Sequence, residues 1–164
     1  MEIRLLTVKD VEMFRRLRLQ ALHELPKAFA ASYHEEKNES IAYFTSLLSK
    51  SIGYVGAFSE RNQLIGILGI VQSHLAKMKH KASFTSFYVV PECRRIGVGN
   101  SLLHKAIEFA KLEGIEQIQL VVAKENIRAK RKYESLGFKT FAKEERALKV
   151  NGEYIDEEHF VLFV

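Results

Sequence analysis

Residues Val89 to Gly99 read V-V-P-E-C-R-R-I-G-V-G, a run whose residue types suit phosphate binding. A β-rich run, Ser83–Val90, stops at Pro91, and an amphipathic pattern begins near Gly99. A strand that enters a helix through Arg94-Arg95-x-Gly97-x-Gly99 offers an anion three things. The glycines let the main chain come close. The first N–H groups of the helix have no internal acceptor, and the helix dipole favours negative charge there. Arg94 and Arg95 add fixed positive charge. The spacing excludes two common phosphate binders. A dinucleotide fingerprint needs a third glycine where Leu102 stands, and a Walker A loop needs a Gly-Lys-Ser/Thr that the chain lacks.

A second stretch, Val122–Phe138, reads V-A-K-E-N-I-R-A-K-R-K-Y-E-S-L-G-F. It predicts a strand end followed by a short helix. Asn126 suits the N-cap and Gly137 the position just past the C-terminus. Asn126, Ala129 and Tyr133 fall at i, i+3 and i+7, so they share one helix face. That stripe suits a ligand lying along the helix. It equally suits a capped helix with two core residues.

Together the two stretches resemble the GCN5-related N-acetyltransferase (GNAT) family. Arg94-x-x-Gly97-x-Gly99 matches the family's Q/R-x-x-G-x-G/A signature. Asn126 to Phe138 matches N-x-x-A-x-x-x-Y-x-x-x-G-F at every fixed position, and the order is the family's. The resemblance is sharpest from Ser83 to Phe138. It implies an α/β (α+β) fold: a mixed, mostly antiparallel central sheet flanked by helices, with a splayed pair of strands holding acetyl-CoA. It implies acetyl-CoA as co-substrate, held by Tyr88, Val89 and Val90 on the strand. Arg94, Arg95, Ile96, Gly97, Val98 and Gly99 would hold it from the turn, and Asn126, Ala129 and Tyr133 from the second helix.

The activity so implied is direct transfer of an acetyl group from the thioester to a primary amine in a ternary complex. The developing oxyanion needs preorganised donors, which main-chain N–H groups near Tyr88, Val89 and Val90 would supply. The departing thiolate needs an acid. By resemblance this is Tyr133, whose ordinary pKa near ~10 keeps it protonated at neutral pH. The acceptor ammonium must lose a proton. Many family members place a glutamate for this on the strand before the turn. Here Ser83 holds that position, and serine is a poor base, so the base is unassigned. His34, Glu35, Glu36, His74 and His80 lie in segments that could edge the acceptor pocket. The family sets acceptor choice in segments that here are Leu25–Asn38, Ser73–Lys81 and Lys149–Glu158. Tyr33, Glu35 and Glu36 are the candidate substrate residues. Glu39, Asp156, Glu157 and Glu158 add carboxylates that could draw a cationic amine. A small amine or amino acid is favoured over a protein N-terminus or lysine. The alternative is a non-catalytic acyl-CoA-binding module, against which the presence of Tyr133 counts.

At 164 residues, the chain suits a single domain, 1–164, with a real core. Hydrophobic content of 47% and charged content of 27% are those of a globular protein in water. No apolar run approaches a membrane span, and M-E-I-R-L-L-T lacks the pattern of a signal peptide. The one cysteine, Cys93, permits no internal disulfide and suits a reducing cytoplasm. Beside two arginines it could be an activated thiol or a plain turn residue. No metal site is expected. The net charge of +5 is as consistent with nucleic acid as with a polyphosphorylated ligand. Two of its basic clusters fall in the phosphate motifs, which favours the latter. No nucleic-acid or membrane partner is expected, and the chain would act as a monomer or homodimer.

Several elements must position these residues. Ile3–Leu6 reads as a strand. Thr7-x-x-Asp10 forms a capping box ahead of Val11, Phe14, Leu17, Arg18, Ala21 and Leu22 at helical spacing, a helix ended by Pro26. Ala28–Glu39 reads as irregular and Ile41–Ser49 as a helix. Tyr54–Ser59 and Leu64–Gln72 form a hairpin. Ser73–Lys81 is a basic loop and Ala82–Val90 the strand into the turn. Gly99–Glu113 is a helix stopped by Gly114, and Gln117–Val122 is a strand. Phe138–Glu145 and Ala147–Val150 are extended, Asn151-Gly152 is a hairpin turn, and His159–Val164 closes the sheet.

Overall fold

Two runs of almost continuous apolar sequence form the buried centre, in a computed structural model that describes residues 1–49 and 52–164. They are Gly53–Phe58 and Leu64–Gln72, and every residue of the first is buried. Strands that read this way are covered on both faces, and here helices cover them. In chain order the strands are β1 (Glu2–Leu5), β2 (Gly53–Phe58), β3 (Leu64–Gln72), β4 (Lys81–Val89), β5 (Gln117–Ala123), β6 (Lys139–Val150) and β7 (Glu153–Phe163). The helices are α1 (Val11–Glu24), α2 (Tyr33–Glu36), α3 (Ile41–Leu48), α4 (Val98–Leu112) and α5 (Ile127–Ser135). All seven strands join one sheet in the order β1-β2-β3-β4-β5-β7-β6.

On one face, α1 and α3 bury Phe14, Leu17, Ala21 and Phe44 against Tyr54, Ile67 and Tyr88. On the other, α4 buries Leu102, Leu103, Ala106 and Ala110 against Val55, Leu68 and Ile70. Tyr133 of α5 joins this second core beside Phe138 and Phe160. No helix among the described residues is long and apolar enough to cross a membrane.

Every neighbouring pair of strands is antiparallel except β4–β5. That parallel pair is joined only over Lys81↔Gln117, Ala82↔Ile118 and Ser83↔Gln119. Beyond Ser83 both strands continue with no pairing between them among the described residues. The sheet is therefore mixed and mostly antiparallel, as expected, and it opens at the end where β4 feeds the glycine turn.

Three differences from the sequence reading have local causes. Ala28–Glu39 is not wholly irregular: it contains α2, begun by a reciprocal capping box in which Ser32 Oγ accepts the Glu35 N–H and Glu35 accepts the Ser32 N–H. The two extended pieces before Asn151 are one strand, β6, interrupted by a register shift between Glu144 and Leu148 where Arg146 takes φ 54°. Lastly, β7 begins at Glu153, well before His159. Its polar first half pairs with β5 and β6 through main-chain bonds that side-chain polarity does not prevent. Asn151 and Gly152 make the turn between them, with φ 50° and 84°.

Candidate active site

The opening between β4 and β5 begins at a bulge. Thr85 pairs with Gly69 and Tyr88 with Ile67, so Ser86 and Phe87 together face the single residue Leu68. Ser86 absorbs the extra residue with φ 53°. Bulges re-aim side chains and interrupt pairing. Past it, Val90 N–H donates to the Ile65 carbonyl at 3.0 Å. Antiparallel alternation then points the N–H of Tyr88 to β3 as well, and turns the Val89 N–H and C=O toward the β5 side. Of the three main-chain donors expected at this strand, Val90 and Tyr88 are thus committed to β3, and Val89 alone faces the opening.

The turn after β4 is held from within. Arg94 does not reach out to solvent. Its Nε donates to the Val89 carbonyl at 2.8 Å, and its guanidinium lies 5.4 Å from the Tyr88 ring centroid. Arg94 Nη2 sits 3.5 Å from Glu24 Oε2 as an ion pair, yet it is buried without a hydrogen bond. Tyr88 Oη donates to the same Glu24 oxygen at 2.5 Å; burial and then this bond push the phenol pKa far up, and the bond holds the Glu24 carboxyl down. Arg95 and Ile96 are exposed, and Arg95 has φ 68°. Gly97 caps α4 with φ 93°, and a Cβ there would meet no protein atom within 4 Å. The first turn of α4 presents N–H groups without intrahelical acceptors. Ser101 is the first to find one, on the Gly97 carbonyl at 3.0 Å. Val98 is buried and anchors the turn, while Gly99 packs against the Phe87 ring.

Asn126 does cap α5, its Oδ1 accepting the Ala129 N–H at 3.1 Å. Lys132 Nζ reaches from α5 to Asn100 Oδ1 and so ties α5 to the start of α4. Burial and the nearby Arg128 hold the Lys132 pKa down. Tyr133 is buried at 7% exposure, with its ring 6.3 Å from that of Phe87 on β4. Burial pushes its phenol well above the ordinary range, and the hydroxyl has no hydrogen-bond partner among the described residues.

A cavity of about 540 Å³ lies at the open end of the sheet. It is lined by Glu24 and the following Pro26 turn, by Ala123 to Asn126, and by Tyr154 to Asp156. Several of its charges are paired: Lys27 with Glu153 at 2.6 Å and Lys124 with Asp156 at 3.5 Å. The candidate substrate residues lie apart from it. Glu35 is exposed and caps α2, and Tyr33 meets the His23 ring edge-to-face at 5.1 Å beside a second cavity of about 510 Å³. Glu36 is buried. Both its oxygens accept from Arg18 at 2.5 Å, and Tyr43 Oη donates to it at 3.0 Å. Its carboxylate is already neutralised, which leaves no charge for a cationic amine.

Sequence reasoning missed Arg18, Glu24 and Ser86. Arg18 left a signal, a charged residue on the apolar stripe of α1. Ser86 and Glu24 left none, since a bulge and a helix-end contact depend on the partner strand.

The chain matches the family described as acetyltransferase (GNAT) domain over residues 3–158. An uncharacterized N-acetyltransferase of Methanocaldococcus jannaschii is 27% identical over 83% of the chain, which spans 59% of that relative's length. The crystal structure of a probable acetyltransferase from Staphylococcus epidermidis superposes with a TM-score of 0.79 at 26% identity, over 99% of this chain and 98% of that one. A putative acetyltransferase from Salmonella typhimurium with its cofactor acetyl-CoA gives 0.79 at 19% identity, over 99% and 93%; at that identity the likeness is one of fold.

Proposed function

The chain belongs to the acetyltransferase (GNAT) domain family, and from that premise we propose that it moves an acetyl group from acetyl-CoA to a primary amine by direct attack in a ternary complex. The observation that carries this is the parting of β4 from β5 beyond Ser83↔Gln119, next to the free N–H groups at the start of α4. The residues present fit acetyl-CoA. Gly97 leaves open space where a side chain would stand, and the turn offers donors and positive charge to a pyrophosphate. Ile96, Val98 and Gly99 complete that turn, with Arg95 exposed at its edge. The group brings an activated acetyl thioester.

This chain's residues then have distinct tasks. The Val89 N–H, turned to the opening, stabilises the oxygen as it gains charge. Arg94, bonded to the Val89 carbonyl, holds the next peptide, Val89–Val90, and so restrains the residue that carries this N–H. Tyr133, protonated and without another partner, gives its proton to the departing sulfur. Asn126 and Ala129 border the path on the same helix face as Tyr133. Glu125, the acid of the cavity lining whose side chain has no hydrogen bond or ion pair among the described residues, favours a cationic acceptor, and we place a small amine or amino acid ahead of a protein N-terminus or lysine. The whole chain would act as one such domain, in a reducing cytoplasm that suits the free thiol of Cys93.

The test is an acceptor screen of amines, amino acids and peptides, read by thiol release from acetyl-CoA. Acceptor-dependent release with at least one amine is the expected result. A chain that binds acetyl-CoA but never releases thiol would be a binding module instead.

A further inference from the structure

Three acids follow one another on β7, and the middle one stands apart. Asp156 meets Lys124 and accepts the Arg146 N–H at 3.0 Å, and Glu158 takes Lys130 Nζ at 3.0 Å. Strand alternation sends Glu157 to the opposite face. There it is half-buried, with no hydrogen bond or ion pair to its side chain among the described residues. A carboxylate drawn partly out of water without a partner has one of two uses: to take up a proton or to meet a cation from outside.

The register gives its position. Ser83 pairs with Gln119, and Gln119 with Val161; further along, Val121 pairs with His159 and Ala123 with Glu157. Counted from Ser83 and Gln119, Ala123 and Glu157 come level with Phe87, in the β4 bulge. There β4 and β5 have already parted, and Ala123 lines the larger cavity. The face is also fixed. Ala82 and Phe84 on β4 and Phe160 on β7 belong to the core under α4 and α5. Ser83 and Glu157 therefore both lie on the other face, where a proton acceptor is wanted. Of the other acids at this end, Glu24 is committed to Tyr88, Asp156 to Lys124 and the Arg146 N–H, and Glu36 to Arg18, while Glu125 is exposed to water.

Resting on the acetyltransferase reading, we infer that Glu157 is the general base that Ser83 cannot be, taking the proton from the acceptor ammonium. The freed lone pair attacks the thioester carbon, and the new C–N bond forms as the C–S bond breaks. The first proton leaves Glu157 for solvent. Tyr133 protonates the sulfur, and the nitrogen's second proton restores the phenol as the amide forms. The surroundings agree. Burial and Glu144 on β6 push the Glu157 carboxyl above its usual range, His159 on β7 pulls the other way, and β5 presents no titratable group on this face. His159 is itself held by Glu144 at 2.9 Å.

The test compares two amines of similar size: ethylamine, almost wholly protonated at pH 7, and trifluoroethylamine, largely unprotonated. Glu157→Gln should slow thiol release with ethylamine by about 10²–10⁴-fold and leave trifluoroethylamine within a few-fold of wild type. The melting shift with acetyl-CoA should be unchanged, and Glu157→Asp should recover part of the ethylamine rate. Equal slowing with both amines, or none with either, overturns the assignment. Wild-type protein that releases thiol with neither amine nor any acceptor of the wider screen overturns the acetyltransferase reading itself, a result distinct from turnover that survives Glu157→Gln.

Discussion

Arg18 and Ser86 are joined by a hydrogen bond of 3.0 Å from Nη1 to Oγ, which ties the buried side of α1 to the bulge of β4. The same nitrogen donates to Tyr54 Oη at 3.1 Å, and the rest of the guanidinium grips Glu36. The side chains of Arg18 and Glu36 are only 9% and 4% exposed, so neither charge has water to fall back on. Removing one partner strands the other. Arg18→Ala should destabilise the fold by about 3–5 kcal/mol, measured by urea unfolding. Replacing both charges with apolar residues of similar volume should cost much less, because no charge is then buried alone. A single substitution that costs as little as the double would show that the pair is not the unit of stability.

A second prediction separates backbone strain from ligand contact. Gly97 and Gly114 have φ 93° and 75°, and a Cβ at either meets no protein atom within 4 Å. Alanine at each should bring a similar strain of about 1–2 kcal/mol. Only Gly97 sits at the proposed pyrophosphate turn. Acetyl-CoA at about a hundred times its dissociation constant should stabilise wild type by about 2.7 kcal/mol. That increment should survive Gly114→Ala and shrink sharply in Gly97→Ala. Equal increments in the two variants would remove Gly97 from the binding turn.

The sequence carried the turn and the α5 stripe because both are local. Gly97, Asn126 and Gly137 act through positive φ or a cap, properties a residue has wherever its neighbours place it. The mixed sheet followed from the resemblance and from hairpin signals such as Asn151-Gly152. What it could not carry is relational. Arg94 reads as a free cation, but its nearest acceptor is the carbonyl of Val89, brought within reach only by the fold of the turn. Glu36 reads as a surface acid, and Arg18, eighteen positions earlier in the chain, takes its charge. The start of β7 was hidden because Asp156, Glu157 and Glu158 break the apolar alternation while their main chain still completes the ladder.

The pH dependence of stability should show Asp10. Arg4 donates to both its oxygens at 2.8 Å, and the Thr7 N–H adds a third bond at 2.8 Å. The Arg4 hydrogen bond is the main cause that lowers its pKa to about 2. A depressed carboxyl contributes stability that is full above its unfolded pKa and lost as pH falls through its folded one. Asp10→Asn should therefore destabilise by on the order of 1–2 kcal/mol at pH 7, less than the full shift since Arg4 is partly solvated. The gap from wild type should close between roughly pH 4 and pH 2. A gap that stays constant to pH 2 would mean that the side chain acts by shape rather than by charge.

Tyr133 gives the sharpest division between chemistry and packing. Its ring packs against Phe138 at 5.7 Å and Phe160 at 6.4 Å, so a purely structural tyrosine is physically reasonable here. Tyr133→Phe keeps those contacts and removes only the hydroxyl, which makes no hydrogen bond among the described residues. Stability and acetyl-CoA affinity should then barely change. Turnover should fall by about 10²–10⁴-fold, the weight of a positioned acid. The loss should shrink for acyl donors whose thiols leave more readily, since a stable thiolate needs less help. Because burial holds the phenol far above its ordinary pKa, Tyr133 should add no basic limb to the wild-type rate profile over the range where the fold survives. A packing tyrosine gives the reverse pattern, with turnover intact in Tyr133→Phe. Rate, affinity and melting temperature measured on that one variant decide between the two.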